Sequence, residues 1–160
     1  MNLRKTFMDE LTKLAEKDKR VILIVSDVGF SYIEEFAQKF HAQFINAGVT
    51  EQSMIGMAAG LALVGFKPYV YSMIPFVTMR PYEQVRNDAC YNDADVKLVG
   101  VQGSVHYKFL GFSHNIAENE DKKILDGLPN MTQHYPETEE GVISAMEAMY
   151  TSVHPAYIRV

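Results

Sequence analysis

The chain has 160 residues, 48% of them hydrophobic, which suits one domain with a real core and leaves too little for two. Its 15 basic and 20 acidic residues give a net charge of -5, so it lacks the basic excess that draws nucleic-acid phosphates or anionic membranes. Cys90, the single cysteine, cannot close an internal disulfide, no apolar stretch is long enough to span a bilayer, and the opening MNLRKTFMDELTK lacks a secretory core; the prediction is a cytoplasmic protein.

From Leu3 to about Asp18, Leu3, Phe7, Leu11 and Leu14 recur at helical spacing with charges between them, which predicts an amphipathic helix. VILIV at 21–25 is all apolar, as a parallel strand covered on both faces requires. A helical stretch at SYIEEFAQKF, an extended QFIN, a helix from about Thr50 to Val64 and an extended KPYVYS follow. Next come a helix around PYEQVRNDACY, a strand VKLVGV and a charged helical ENEDKKIL. A short strand near Met131, a helix TEEGVISAMEAMY and a strand AYIRV complete the order. Strands alternating with helices predict a doubly wound α/β domain, with a mostly parallel sheet and helices on both faces.

Ligands of such sheets sit beyond the carboxyl ends of the strands. Three loops are thereby selected: AGVTEQ after QFIN, MIPFVTMRP after KPYVYS, and QGSVHYKFLGFSHN after VKLVGV. In the first, Gly48 permits a sharp turn, Thr50 suits a helix N-cap, and Glu51 falls in the first turn, where its charge complements the helix dipole. Gly56 and Gly60 allow close helix packing. Those residue types have a purely structural explanation, and local pattern alone does not choose between it and a catalytic one. The histidines show no metal-ligand spacing, and no protein metal site is expected.

FINAGVTEQSMIGMAAGLAL, residues 44–63, closely resembles a segment in the pyrimidine-binding domain of transketolase-like, thiamine diphosphate-dependent enzymes. VILIVSDVG, YVYSMIPFVTMRPYEQVRND and GFSHNIAENEDKKILDGLPNM are similar to further blocks of that family in the same order, so the resemblance covers nearly the whole chain. It implies the thiamine diphosphate-binding fold and a single pyrimidine-binding domain over 1–160. It also implies that Glu51 is the catalytic glutamate that hydrogen-bonds the cofactor's aminopyrimidine, with Gly48 and Gln52 around it. A shared proton there favours the imino form of the ring's exocyclic amine, which can deprotonate the thiazolium carbon.

By the same resemblance Phe76 stacks on the aminopyrimidine, Arg80 lies near cofactor or substrate, and His114 binds or polarises the substrate. The family's threonine–phenylalanine pair before the second loop is here Met73–Ile74, Asn115 replaces a glutamine after His114, and Gln102–Gly103 stand where transketolases often place a substrate histidine. Gln102 is therefore a substrate-binding candidate, and a sugar phosphate substrate does not follow from the resemblance.

Family members hold the cofactor's diphosphate through a divalent metal on a second domain marked by G-D-G, which this sequence lacks; a third, C-terminal transketolase domain is likewise absent from it. The resemblance then implies either a natural subunit of a split enzyme or a domain excised from a longer chain, and the split enzyme is the preferred expectation. This chain supplies the pyrimidine side, a diphosphate-binding partner holds Mg or Ca, and the two share thiamine diphosphate. The chain is expected to be inactive alone and to form a homodimer core within a hetero-oligomer. The implied reaction is two-carbon ketol transfer or a related carbon–carbon ligation on a ketose or 2-oxo acid. A 1-deoxyxylulose phosphate synthase-like protein, suggested by Y-E-Q-V at 82–85, and a 2-oxo acid dehydrogenase subunit are alternatives. A non-catalytic α/β binding or regulatory module is the alternative of another class. Paired subunits also predict exposed apolar surface on the Gly56–Gly60 helix and the Met73–Met79 loop.

Overall fold

The five apolar residues of β1, Val21–Val25, are all buried, because helices cover the strand from both sides. Val21, Leu23 and Val25 join one core and Ile22 and Ile24 the other, as the two-residue period of a strand dictates. Burying each such branched side chain contributes about 1.5–3 kcal/mol. The computed structural model describes residues 1–101 and 105–160.

Before β1 runs α1 (Leu3–Lys17), whose Phe7, Met8, Leu11 and Ala15 face the first core; the Asn2 side chain caps it by accepting from the Lys5 amide. After β1 come α2 (Glu34–Lys39), β2 (Phe44–Asn46), α3 (Glu51–Leu63) and β3 (Lys67–Met73). A five-residue helix, α4 (Ile74–Thr78), leads to α5 (Tyr82–Gln84), which widens into a π-helical stretch over Val85–Tyr91. The remainder is β4 (Lys97–Val101), a 3-10 segment over Val105–His114 broken at Gly111, α6 (Glu120–Leu125), β5 (Thr132–His134), α7 (Glu139–Thr151) and β6 (Ala156–Arg159).

The six strands form one sheet of order β2-β1-β3-β4-β6-β5, and every neighbouring pair is parallel. The first core gathers residues of α1, α2 and α7; the second gathers those of α3, the π-helical stretch and α6. Helices therefore lie on both faces, as the strand–helix alternation predicts. The structure departs from the sequence expectation at 74–78. MIPFVTMRP has the composition of a loop, but α4 forms there, with Pro75 in its first turn where a missing N–H costs nothing. No helix among the described residues is long and apolar enough to cross a membrane.

At the carboxyl ends of adjacent β1 and β3, the buried Ser26 and Ser72 hydroxyls hydrogen-bond at 2.8 Å. From here the chain passes outward to β2 on one side and to β3, β4 and beyond on the other. In parallel sheets of this kind such a reversal is where a ligand crevice forms.

Candidate active site

The crevice is furnished first by the turn that follows β2. Asn46 accepts from the amides of Asp27 and Gly48, tying this turn to the end of β1. Gly48 adopts φ +70°, a backbone that disfavours other residues, and the turn it makes delivers the chain into α3. Thr50 takes the N-cap position, but its hydroxyl donates back to the Ala47 carbonyl at 2.8 Å and caps no helix amide. Glu51 follows in the first turn and is buried, its side chain only 8% exposed. Gln52, one residue on, is exposed to solvent.

The segment after β3 provides the opposite wall. Because α4 turns the chain back immediately, Phe76 is buried at 5% exposure, while Arg80 leaves the helix end and remains 44% exposed along its side chain. Arg80 Nη1 donates to Glu51 Oε1 at 2.8 Å, and its guanidinium carbon lies 3.6 Å from the centre of the Phe76 ring. One cation thus bridges the carboxylate of one loop and the aromatic face of another. Geometry of this kind combines a charge-assisted hydrogen bond with a cation–π contact.

The third loop closes the set. His114 meets Phe76 edge-on, with ring centroids 4.9 Å apart and planes at 70°, and its Nδ1 is 2.8 Å from the Ser113 hydroxyl. The structure therefore brings Glu51, Phe76, Arg80 and His114 into one continuous group, with Gly48 and Gln52 flanking Glu51. Gln102 lies outside the described residues. What the sequence did not reveal is the pairing of Arg80 with Glu51, since 29 positions separate them and their meeting depends on the crossover from α3 through β3.

Other polar clusters lie away from this group. Asp121, fully buried, accepts from the Tyr157 hydroxyl at 2.7 Å and from Arg159 at 3.2 Å. Burial pushes the Cys90 thiol up to about 12, which suits a packing residue rather than a nucleophile. Among the described residues no group of three or more His, Cys, Asp or Glu is arranged to hold a metal.

What the convergent group can do is hold a flat ring. The planar guanidinium of Arg80 already lies against Phe76 and donates an N–H to the buried Glu51 carboxylate.

Residues 1–160 match the family described as "Transketolase, pyrimidine binding domain". The chain is 34% identical over 158 residues to an apulose-4-phosphate transketolase subunit of Phocaeicola vulgatus, covering 98% of this chain and 50% of that protein. It is 33% identical over 152 residues to the 1-deoxy-D-xylulose-5-phosphate synthase of Listeria monocytogenes, covering 89% of this chain and 23% of the synthase. Among solved structures, a split-gene transketolase described as an inactive beta4 tetramer superposes with a TM-score of 0.85 at 28% identity, over 98% of this chain and 50% of that one. The chain thus spans about half the length of the transketolase subunit it matches.

Proposed function

The chain belongs to the transketolase pyrimidine-binding family, and from that premise we propose that it is the pyrimidine-binding part of a split transketolase-like transferase. The observation that carries the reading is the convergence of Glu51, Phe76 and His114 at the carboxyl end of the sheet. The family implies thiamine diphosphate, and Phe76 and Glu51 suit its aminopyrimidine, offering an aromatic face beside a buried carboxyl group that can share a proton with a ring nitrogen. When bound, that cofactor supplies a nucleophilic carbon able to cleave and form carbon–carbon bonds next to a carbonyl.

The chain's own residues have separate tasks. Glu51 holds and exchanges the proton at the pyrimidine ring nitrogen, and its burial excludes the water that would otherwise compete. Phe76 provides the stacking face. Gly48 sets the turn that aims Glu51, and Gln52 stands at the rim beside it. His114, packed against Phe76, binds or polarises a substrate oxygen, with Gln102 as a further substrate contact. A diphosphate-binding partner chain holds Mg or Ca and the cofactor's other end, so this chain is inactive alone and a homodimer of it lies within a hetero-oligomer. The Phocaeicola relative is itself named as a subunit, which supports a partner. The reaction is two-carbon ketol transfer or a related ligation, and the free thiol of Cys90 accords with a reducing, cytoplasmic setting.

Similarity to the Listeria synthase supports a second reading, 1-deoxyxylulose phosphate synthase-like chemistry, which uses a 2-oxo acid donor. The test is to purify the chain from its native source, identify a companion, and assay the reconstituted pair with ketose and pyruvate donors. Glu51→Gln keeps a hydrogen bond but exchanges no proton, so turnover should fall by about 100-fold or more. Glu51→Ala that leaves assembly and turnover unchanged would instead assign a non-catalytic scaffold.

A further inference from the structure

We infer that Arg80 is a built-in competitor for the pyrimidine slot: its guanidinium covers Phe76 and holds Glu51 until a flat, hydrogen-bonding ring displaces it. This rests on the proposed cofactor reading and adds to it a cost of loading. A guanidinium is planar, carries N–H donors along its edge and stacks on aromatic rings. Arg80 uses each property: its Nη1 is 2.8 Å from Glu51 Oε1 and its Cζ is 3.6 Å from the Phe76 ring centre. These are the two contacts expected of an aminopyrimidine, so ring and guanidinium cannot be satisfied at the same place together.

The competitor has a reason to be there. Glu51 is 8% exposed on its side chain, and a carboxylate at that depth without a partner is strongly destabilising. Arg80 supplies the missing charge. It also has a way out. Its own side chain is 44% exposed and springs from the short connection between α4 and α5, so a change of rotamer carries the guanidinium into water without disturbing the sheet. The incoming ring then takes over both contacts, and a proton taken up from water and shared between Glu51 and the ring nitrogen replaces the charge that Arg80 withdraws.

Competition of this kind weakens apparent affinity by the fraction of molecules in which the slot is open. If Arg80 occupies it in roughly nine molecules of ten, Arg80→Ala tightens thiamine diphosphate binding by about 10-fold. The sign is informative, because removing a cation from a site for an anionic cofactor should otherwise weaken binding.

The experiment is calorimetric titration of thiamine diphosphate with Mg into the complex of this chain and its diphosphate-binding partner. Wild type, Arg80→Ala and Arg80→Lys are compared, and both substitutions are repeated on Glu51→Ala. The inference expects tighter binding in Arg80→Ala, a smaller gain in Arg80→Lys, and loss of both gains once Glu51 is gone. If Arg80→Ala does not fold, by its melting curve, Arg80→Lys carries the comparison. Equal or weaker binding in the Arg80 variants beside a wild type that binds normally overturns the competitor and leaves the proposed function standing. A gain of undiminished size on Glu51→Ala also overturns it, because the gain then owes nothing to the Glu51 contact. A wild-type complex that does not bind thiamine diphosphate overturns both.

Discussion

Glu51 is held from two directions, by the amino end of α3 and by Arg80, while Phe76 is pinned between that guanidinium and the His114 ring. Which loops would meet was legible in the sequence, because each follows the carboxyl end of a strand, while the residues within them were picked out by the family resemblance. How they meet was not, because no local pattern encodes a contact across 29 residues. Two other single residues yield predictions away from the site. Hydrogen bonds from Arg20 hold the Asp18 carboxyl down to about 2 from its ordinary 3.8. A depressed acid contributes stability above its unfolded value, so this contribution is present above pH 3.8 and is lost as the pH falls through about 2. Urea midpoints measured over that range should drop, and less steeply in Asp18→Asn. Cys90, its thiol pushed up to about 12 by burial, should resist iodoacetamide at about pH 8 in the native chain and react once urea unfolds it.

At the scale of elements, apolar runs and helical periodicity located β1, α1 and α7 almost to the residue, since a run of five buried positions or three turns of amphipathic helix leaves an unmistakable trace. The trace fails where elements are short. Residues 74–78 make little more than one turn, too few for a period to emerge, and Pro75 there reads as a loop marker although it sits where a helix tolerates it. That helix also corrects the expected exposure of 73–79. Ile74 through Thr78 are buried, whereas α3 and the residue after it do expose apolar side chains, with Met57 at 40%, Leu63 at 65% and Val64 at 73%. Strand β4 carries its own constraint. A Cβ at Gly100 would lie 2.5 Å from the Tyr157 hydroxyl on β6, the group that donates to buried Asp121. Gly100→Ala should therefore cost about 1–3 kcal/mol by overpacking, seen as a lower urea midpoint with unchanged slope.

Across the whole molecule, the two ends of the sheet divide the work. The candidate site lies beyond the carboxyl ends, whereas at the amino ends of β3 and β4 Asp95 pairs with Lys67 at 3.0 Å and with fully buried Lys97 at 2.5 Å. Lys97 also donates to the His154 carbonyl at 2.6 Å. Asp95→Ala strands two cations and should cost about 3 kcal/mol. For a chain of this size that lowers the melting temperature by about 6–12 °C. Cofactor affinity of the reconstituted complex, measured at a temperature where the variant is folded, should not change. The strand order bears on how such a molecule is made. β6 lies between β4 and β5 although it follows both in the chain, so β5 has no partner when it leaves the ribosome and β4 keeps an open edge. The nascent chain must hold that gap until β6 arrives, and during the wait it presents an unpaired apolar edge to chaperones and to its neighbours on the polysome.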